Sequence, residues 1–181
     1  MNYIALLRGI NVGGNKLVSM ADLRELALGL GYLNPRTYVQ SGNLVFGAEG
    51  RNHASLETEL EKEIEAKCGV RNSVIIRSAP EWDRVIAANP FSKEAEEDPS
   101  HLLVQFLKTR VVTEEVEALK ASNPGRERIV AGDRHLYITY PDGVGESKLA
   151  GSLIGKHIKS PSTGRNWNTV LKLAAMARTS G

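Results

Sequence analysis

Three short apolar runs, YIALL (Tyr3 to Leu7), VII (Val74 to Ile76) and LLVQFL (Leu102 to Leu107), carry no polar alternation. A strand with one wet face alternates apolar and polar residues, so these runs predict strands buried on both faces. Between the first two runs the chain reads in a fixed order. Ser19 with Asp22 makes a capping-box-like start for a helix that carries Leu23, Leu26, Ala27 and Leu30 on one face and stops at Gly31. RTYVQ and NLVF, separated by Ser41 and Gly42, form a hairpin. A second helix, about Ala54 to Cys68, places Leu56, Leu60 and Ile64 at helical spacing before Gly69. With the strand SVIIR, residues 1–78 read as βαββαβ, the ferredoxin-like arrangement. A lone sheet of that kind leaves one face open. Two-faced burial therefore implies that the halves pack together, or that the second copy of a homodimer covers them.

Residues 79–100 read as a connector. Ser78, Pro80 and Glu81 start a helix with Trp82, Val85 and Ile86 inward, which ends at Asn89 and Pro90 before the acidic loop SKEAEEDPS. Residues 101–160 form a second half: a strand (His101 to Lys108), a helix after Thr113 that stops at Asn123, a hairpin about Gly132 and Asp133, and a helix from about Glu146 to His157. That is βαββα, a degenerate copy in pattern without similar residues. Residues 161–181 replace the expected fourth strand with SPSTGR and an amphipathic helix carrying Trp167, Val170, Leu171 and Ala174. The fold class is α+β.

Composition narrows the function. A chain of 181 residues, 41% hydrophobic, suffices for one good core or two small ones. No run approaches the roughly 18 apolar residues of a membrane span, and the amino terminus lacks a signal-peptide pattern, so a cytoplasmic location without membrane contact is expected. The single Cys68 forms no internal disulfide and reads as a small buried hydrophobe. Net charge is +2, unevenly placed: residues 147–181 hold six cations and no acid, leaving 17 basic against 21 acidic residues elsewhere.

Three polar motifs are poorly explained by packing: RGINVGGNK (Arg8 to Lys16), QSGN (Gln40 to Asn43) and TGRNWN (Thr163 to Asn168). In a βαββαβ unit the first strand runs toward the sheet end where the second and third strands turn around. The first two motifs therefore share one end, which the loop from Gly69 to Asn72 also reaches. An anion suits that end. Arg8 and Lys16 supply charge, Gly13 and Gly14 backbone N–H donors, and Asn11, Asn15, Ser41 and Asn43 orientation, with Gly42 of the turn as a further ligand-binding position. Arg165 reads as a further clamp beside a helix start, where Asn168 adds a polar group. Asn166 there is either an N-cap or a ligand contact, and Trp167 a core anchor.

ALLRGINVGG, SGNLVF and RNWNTVLKL together resemble the bacterial domain-of-unknown-function family 1697, and the resemblance covers nearly the whole chain. It implies a small bacterial α+β protein. It also implies importance for Arg8, Asn11, Gly13, Gly14, Ser41, Gly42, Asn43, Arg165, Asn166, Trp167 and Asn168, without naming their role.

Other chemistries lack their signatures. GVGESK (Gly143 to Lys148) puts Ser147 before the lysine, where a phosphate loop needs the hydroxyl after it, and GSLIGKH lacks both spacing and hydroxyl. His53, His101, His135 and His157 show no paired metal spacing, and Ser41 has no evident base. No cofactor is implied. The central strands of the first half offer only Tyr3 and Phe46 for base stacking. Four readings stay open: a binder of a small phosphate- or carboxylate-bearing ligand, which the motifs favour; an enzyme acting on such a ligand; a nucleic-acid binder through the basic tail; and a structural or assembly protein.

Overall fold

The computed structural model describes residues 1–9, 18–149 and 151–179. Its α+β chain divides into two compact units, Met1–Arg84 with Lys172–Gly181, and Val85–Leu171.

The first unit runs β1 (Asn2–Leu7), α1 (Met20–Gly29), β2 (Leu33–Tyr38), β3 (Asn43–Gly47), α2 (His53–Cys68), β4 (Val74–Ser78), and then enters α3 (Ala79–Ala87). Its sheet has the order β2-β3-β1-β4, and every neighbouring pair is antiparallel. The helix starts follow from local chemistry. Ser19 Oγ accepts the Asp22 N–H at 3.0 Å, and Asn52 Oδ1 accepts the Ser55 N–H at 2.9 Å, each satisfying a donor that the first helical turn leaves over. Gly69 closes α2 in the left-handed conformation, φ +65°. Leu23, Leu26, Leu56, Leu60 and Ile64 of the two helices form one core with Ala5, Leu7, Leu44, Phe46, Val74 and Ile76 of the sheet. The alternate residues Ile4, Leu6, Val45 and Ile75 are equally buried, which explains why these strands lack polar alternation.

β4 is an edge strand whose outward N–H groups need partners. Helix α2 supplies them: Glu61 accepts the Val74 N–H at 2.8 Å and Glu57, 5% exposed, accepts the Ile76 N–H at 2.9 Å. The two glutamates stand four apart, on one face of the helix, and β4 alternates in step with them. Helix and edge are locked in register.

The second unit continues with α4 (Ser92–Glu97), a 3₁₀ turn (Pro99–His101), β5 (Leu102–Leu107), α5 (Thr113–Ser122), β6 (Arg128–Ala131), β7 (His135–Thr139), α6 (Gly151–His157), β8 (Ser162–Asn166) and the start of α7 (Trp167–Arg178). Its sheet, β6-β7-β5-β8, repeats the strand arrangement of the first. Val116, Leu119 and Ile154 pack on Leu107, Ile129, Leu136 and Ile138.

Three expectations are corrected. The fourth strand is present: STGRN pairs with β5 from Leu103↔Asn166 to Leu107↔Ser162. Low strand propensity hid it. At an edge a strand needs hydrogen bonds on one side only, and a Cβ at Gly164 would lie 2.7 Å from Oε1 at the mobile end of Gln105, whose Nε2 donates to Ser162 Oγ at 2.9 Å. The acidic loop contains helix α4, since Lys, Glu and Ala are strong helix formers. Residues 39 and 40 lie outside β2, which starts earlier, at Leu33, with an irregularity between Leu33 and Arg36 at Asn34 and Pro35.

Replacing Glu57 with Ala should lower unfolding stability by about 1–3 kcal/mol, because it strips a buried N–H of its acceptor. A urea midpoint equal to that of the native protein would contradict the lock.

Candidate functional site

β1 is the central strand that carries the site, hydrogen-bonded to β3 on one side and β4 on the other. Leu6 faces Asn43, and Leu7 faces Val74. Beyond these pairs the Leu7 N–H donates to the Gly42 carbonyl at 2.9 Å, and the Arg8 N–H donates to the Ser73 carbonyl at 2.9 Å. The chain thus leaves the sheet at Arg8 with its backbone pinned from both sides. Arg8 and Gly9 are exposed. Gly9 has φ +68°, and a Cβ there would meet nothing within 4 Å, so backbone conformation rather than space asks for glycine. The end shared by Arg8, the Ser41–Asn43 turn and the start of β4 is the one that strand order predicts. Asn11, Gly13, Gly14, Asn15 and Lys16 lie outside the described residues.

Residues 39–42 connect β2 to β3 through two left-handed residues, Val39 (φ +50°) and Gly42 (φ +73°). For β-branched Val39 this conformation costs about 1–3 kcal/mol and persists only where neighbours enforce it. Asn43 does so. Fully buried, it donates from Nδ2 to the Tyr38 carbonyl at 2.8 Å and to Ser41 Oγ at 3.0 Å. The Asn43 amide donors are therefore committed to the turn, and Ser41 remains at the surface.

A residue that motif reading passes over stands beside them. Asn72, just before the Ser73 that receives the Arg8 N–H, has both Nδ2 and Oδ1 shielded from solvent and without a hydrogen-bond partner among the described residues. Leaving such a group unsatisfied costs about 1–3 kcal/mol. Strand order brings its loop to this end, but no residue pattern announces that its amide is buried.

The TGRNWN motif belongs to the second unit. Arg165 sits in β8 opposite Val104, 8% exposed, with Nη1 donating to Thr163 Oγ1 at 2.7 Å and to the Gly164 carbonyl at 2.8 Å. Burial pushes its pKa down to about 10. Asn166 Oδ1 accepts the Thr169 N–H at 2.9 Å, an N-cap for α7. Trp167 is 4% exposed, and Asn168 is at the surface. The first unit contains a counterpart. Arg77 in β4, opposite Ile4 and 3% exposed, donates from Nη1 to the Ile76 carbonyl at 2.8 Å. Ser78 follows it, and Glu81 accepts from both its N–H and its hydroxyl at 2.8 Å as α3 begins. In both units the fourth strand ends on a buried arginine and a helix cap. In the basic tail Arg165 is thus interior, and Arg178 is bonded to Asp83 at 2.6 Å.

Among the described residues no three His, Cys, Asp or Glu side chains converge as a metal-holding group, and no helix is long and apolar enough to cross a membrane.

Two antiparallel four-stranded sheets, each in β-α-β-β-α-β order with a helix running on from its fourth strand, define the class. The family model for "Protein of unknown function (DUF1697)" matches residues 1–137, and the chain belongs to that family. A solved structure of a conserved bacterial protein from Streptococcus pneumoniae, SP0830, is 23% identical and superposes with a TM-score of 0.78 over 98% of both chains. That likeness supports the fold. A structure named as a candidate chlorite dismutase, TA0507, is 14% identical over 97% of this chain and 98% of its own, but at a TM-score of 0.27 it carries no argument. No curated protein matches.

Two substitutions separate support from contact. Asn43→Ala should destabilise the protein by about 1–3 kcal/mol by releasing the turn. Asn166→Ala should cost about 1 kcal/mol as a lost cap. Thermal unfolding midpoints unchanged in both would contradict these roles.

Proposed function

We propose that the end of the first sheet where Arg8 leaves β1 binds a small ligand through an anionic group, phosphate or carboxylate. The observation that carries this reading is the pair of flanking hydrogen bonds, Leu7 N–H to Gly42 and Arg8 N–H to Ser73. They hold the backbone of an exposed cation at a fixed place between a strained turn and the start of β4. A guanidinium offers five donors in a planar fork that matches phosphate and carboxylate geometry. Holding its backbone in advance lowers the ordering cost of binding. Asn11, Gly13, Gly14, Asn15 and Lys16 enter this reading from their sequence, as the donors that would complete the cradle.

The interior place of Arg165 removes one tail cation from ready contact with a polyanion, which favours the first-sheet site over the tail.

Calorimetric titration of the full chain with inorganic phosphate and with acetate tests the reading. Binding of at least one anion is expected, weakening as salt rises. Arg8→Ala should weaken it by about tenfold or more, since a hydrogen bond to a charged group contributes roughly 1.5–3 kcal/mol. Absence of binding by the native protein, or equal binding by a folded Arg8→Ala variant, overturns the proposal.

A further inference from the structure

The second unit holds a cavity of about 280 Å³ whose lining includes Lys93, Glu94, Glu97, Asp98, His101 and Arg128. Its best-fixed feature is an acid–imidazole pair. His101 Nδ1 stands 2.7 Å from Asp98 Oδ2, and Ser100 Oγ donates to the other carboxylate oxygen at 3.2 Å. The His101 backbone is fixed as well: its N–H donates to the Asp98 carbonyl at 3.1 Å, and its carbonyl accepts the Tyr140 N–H at 2.8 Å. A carboxylate takes its hydrogen bond from Nδ1–H, so the neutral ring keeps its lone pair on Nε2, which has no hydrogen-bond partner among the described residues. The two side chains are 41% and 48% exposed, so a ligand in the cavity reaches them. Cations line the same cavity. The Arg128 guanidinium lies 4.7 Å from the centroid of the Phe91 ring and is ion-paired with Glu94, a bond that uses one of its five donors, and Lys93 Nζ stands 3.9 Å from Glu97.

We propose that His101 is a general base in this cavity, positioned by Asp98, and that the reaction it serves is hydrolysis of a small acyl phosphate. The neighbouring hydroxyls choose the nucleophile. Ser100 donates to Asp98, and Thr139 and Tyr140 are buried, which leaves water for the base to activate. The lining chooses the leaving group. It supplies one imidazole, and Glu94 and Glu97 are in ion pairs, so a group stable as an anion suits it best; phosphate is such a group, and Arg128 and Lys93 are the cations that bind it. The volume admits only a small molecule. In the step, Nε2 takes a proton from water, the water oxygen bonds to the acyl carbon, and the bond from that carbon to the bridging oxygen breaks. Phosphate leaves with the electron pair. Of the two water protons, the one on Nε2 passes to the departing phosphate, and the other is released as the new carboxylic acid ionises.

Release of inorganic phosphate from acetyl phosphate by the native full chain is the test. Release above the rate in buffer is expected, and His101→Gln should lower kcat by about a hundredfold or more, the contribution of a positioned base. Asp98→Asn should lower kcat with KM unchanged, a split that a merely structural role does not produce, and Arg128→Ala should raise KM. His101→Gln and Asp98→Asn should melt with the native protein, because an exposed ion pair adds little to stability. No release above buffer by the native protein overturns the inference, and so does a folded His101→Gln or Asp98→Asn variant that keeps the native kcat. The Arg8 reading concerns the first unit and stands or falls by its own titration.

Discussion

Everything proposed for the first unit depends on β1 being hydrogen-bonded on both edges. A strand in that position cannot slip by one residue without exchanging the side chains that its two buried faces are packed around and drawing Asn2 or exposed Arg8 toward the interior. Because Ala5 and Leu7 belong to the packed core while Ile4 and Leu6 are also fully shielded, no slipped register avoids burying something badly. The last two bonds of β1, to Gly42 and Ser73, inherit that certainty. The position of Arg8 is thus set by the packing of residues several positions earlier.

The same unit shows how polar side chains stabilise backbone that would otherwise be exposed or strained. Glu57 and Glu61 take the outward N–H groups of β4, closing an edge that could pair with another chain. Asn43 holds Val39 in a conformation that valine avoids. Both devices are satisfied internally. Asn72 departs from them, and a buried polar group without a partner is where function commonly departs from the rules of stability.

The apolar runs and the helix caps made most of the architecture legible, since Ser19 and Gly69 act at the positions that their residue types favour. What stayed hidden was hidden for physical reasons. β8 tolerates Ser, Thr and Gly because an edge strand pairs on one side only. The internal repeat was legible only as a pattern, short of its last strand, because the parts that correspond, Arg77–Ser78 and Arg165–Asn166, share a role and a register position while their neighbours differ. At the site, strand order sufficed to gather Arg8, the Ser41–Asn43 turn and the Gly69–Asn72 loop. It could not distinguish the asparagine that supports the turn from the asparagine left without a partner, because both are one residue type beside a strand and differ only in what surrounds them.

The central claim, an anion held where β1 ends, is tested most directly by recording backbone amide resonances while the protein is titrated with inorganic phosphate. Saturable shifts centred on Leu7, Arg8, Gly9, Gly42 and Ser73 are predicted. Shifts confined to the lysines of the basic tail, Lys156, Lys159 and Lys172, with the β1 end unmoved, would contradict it.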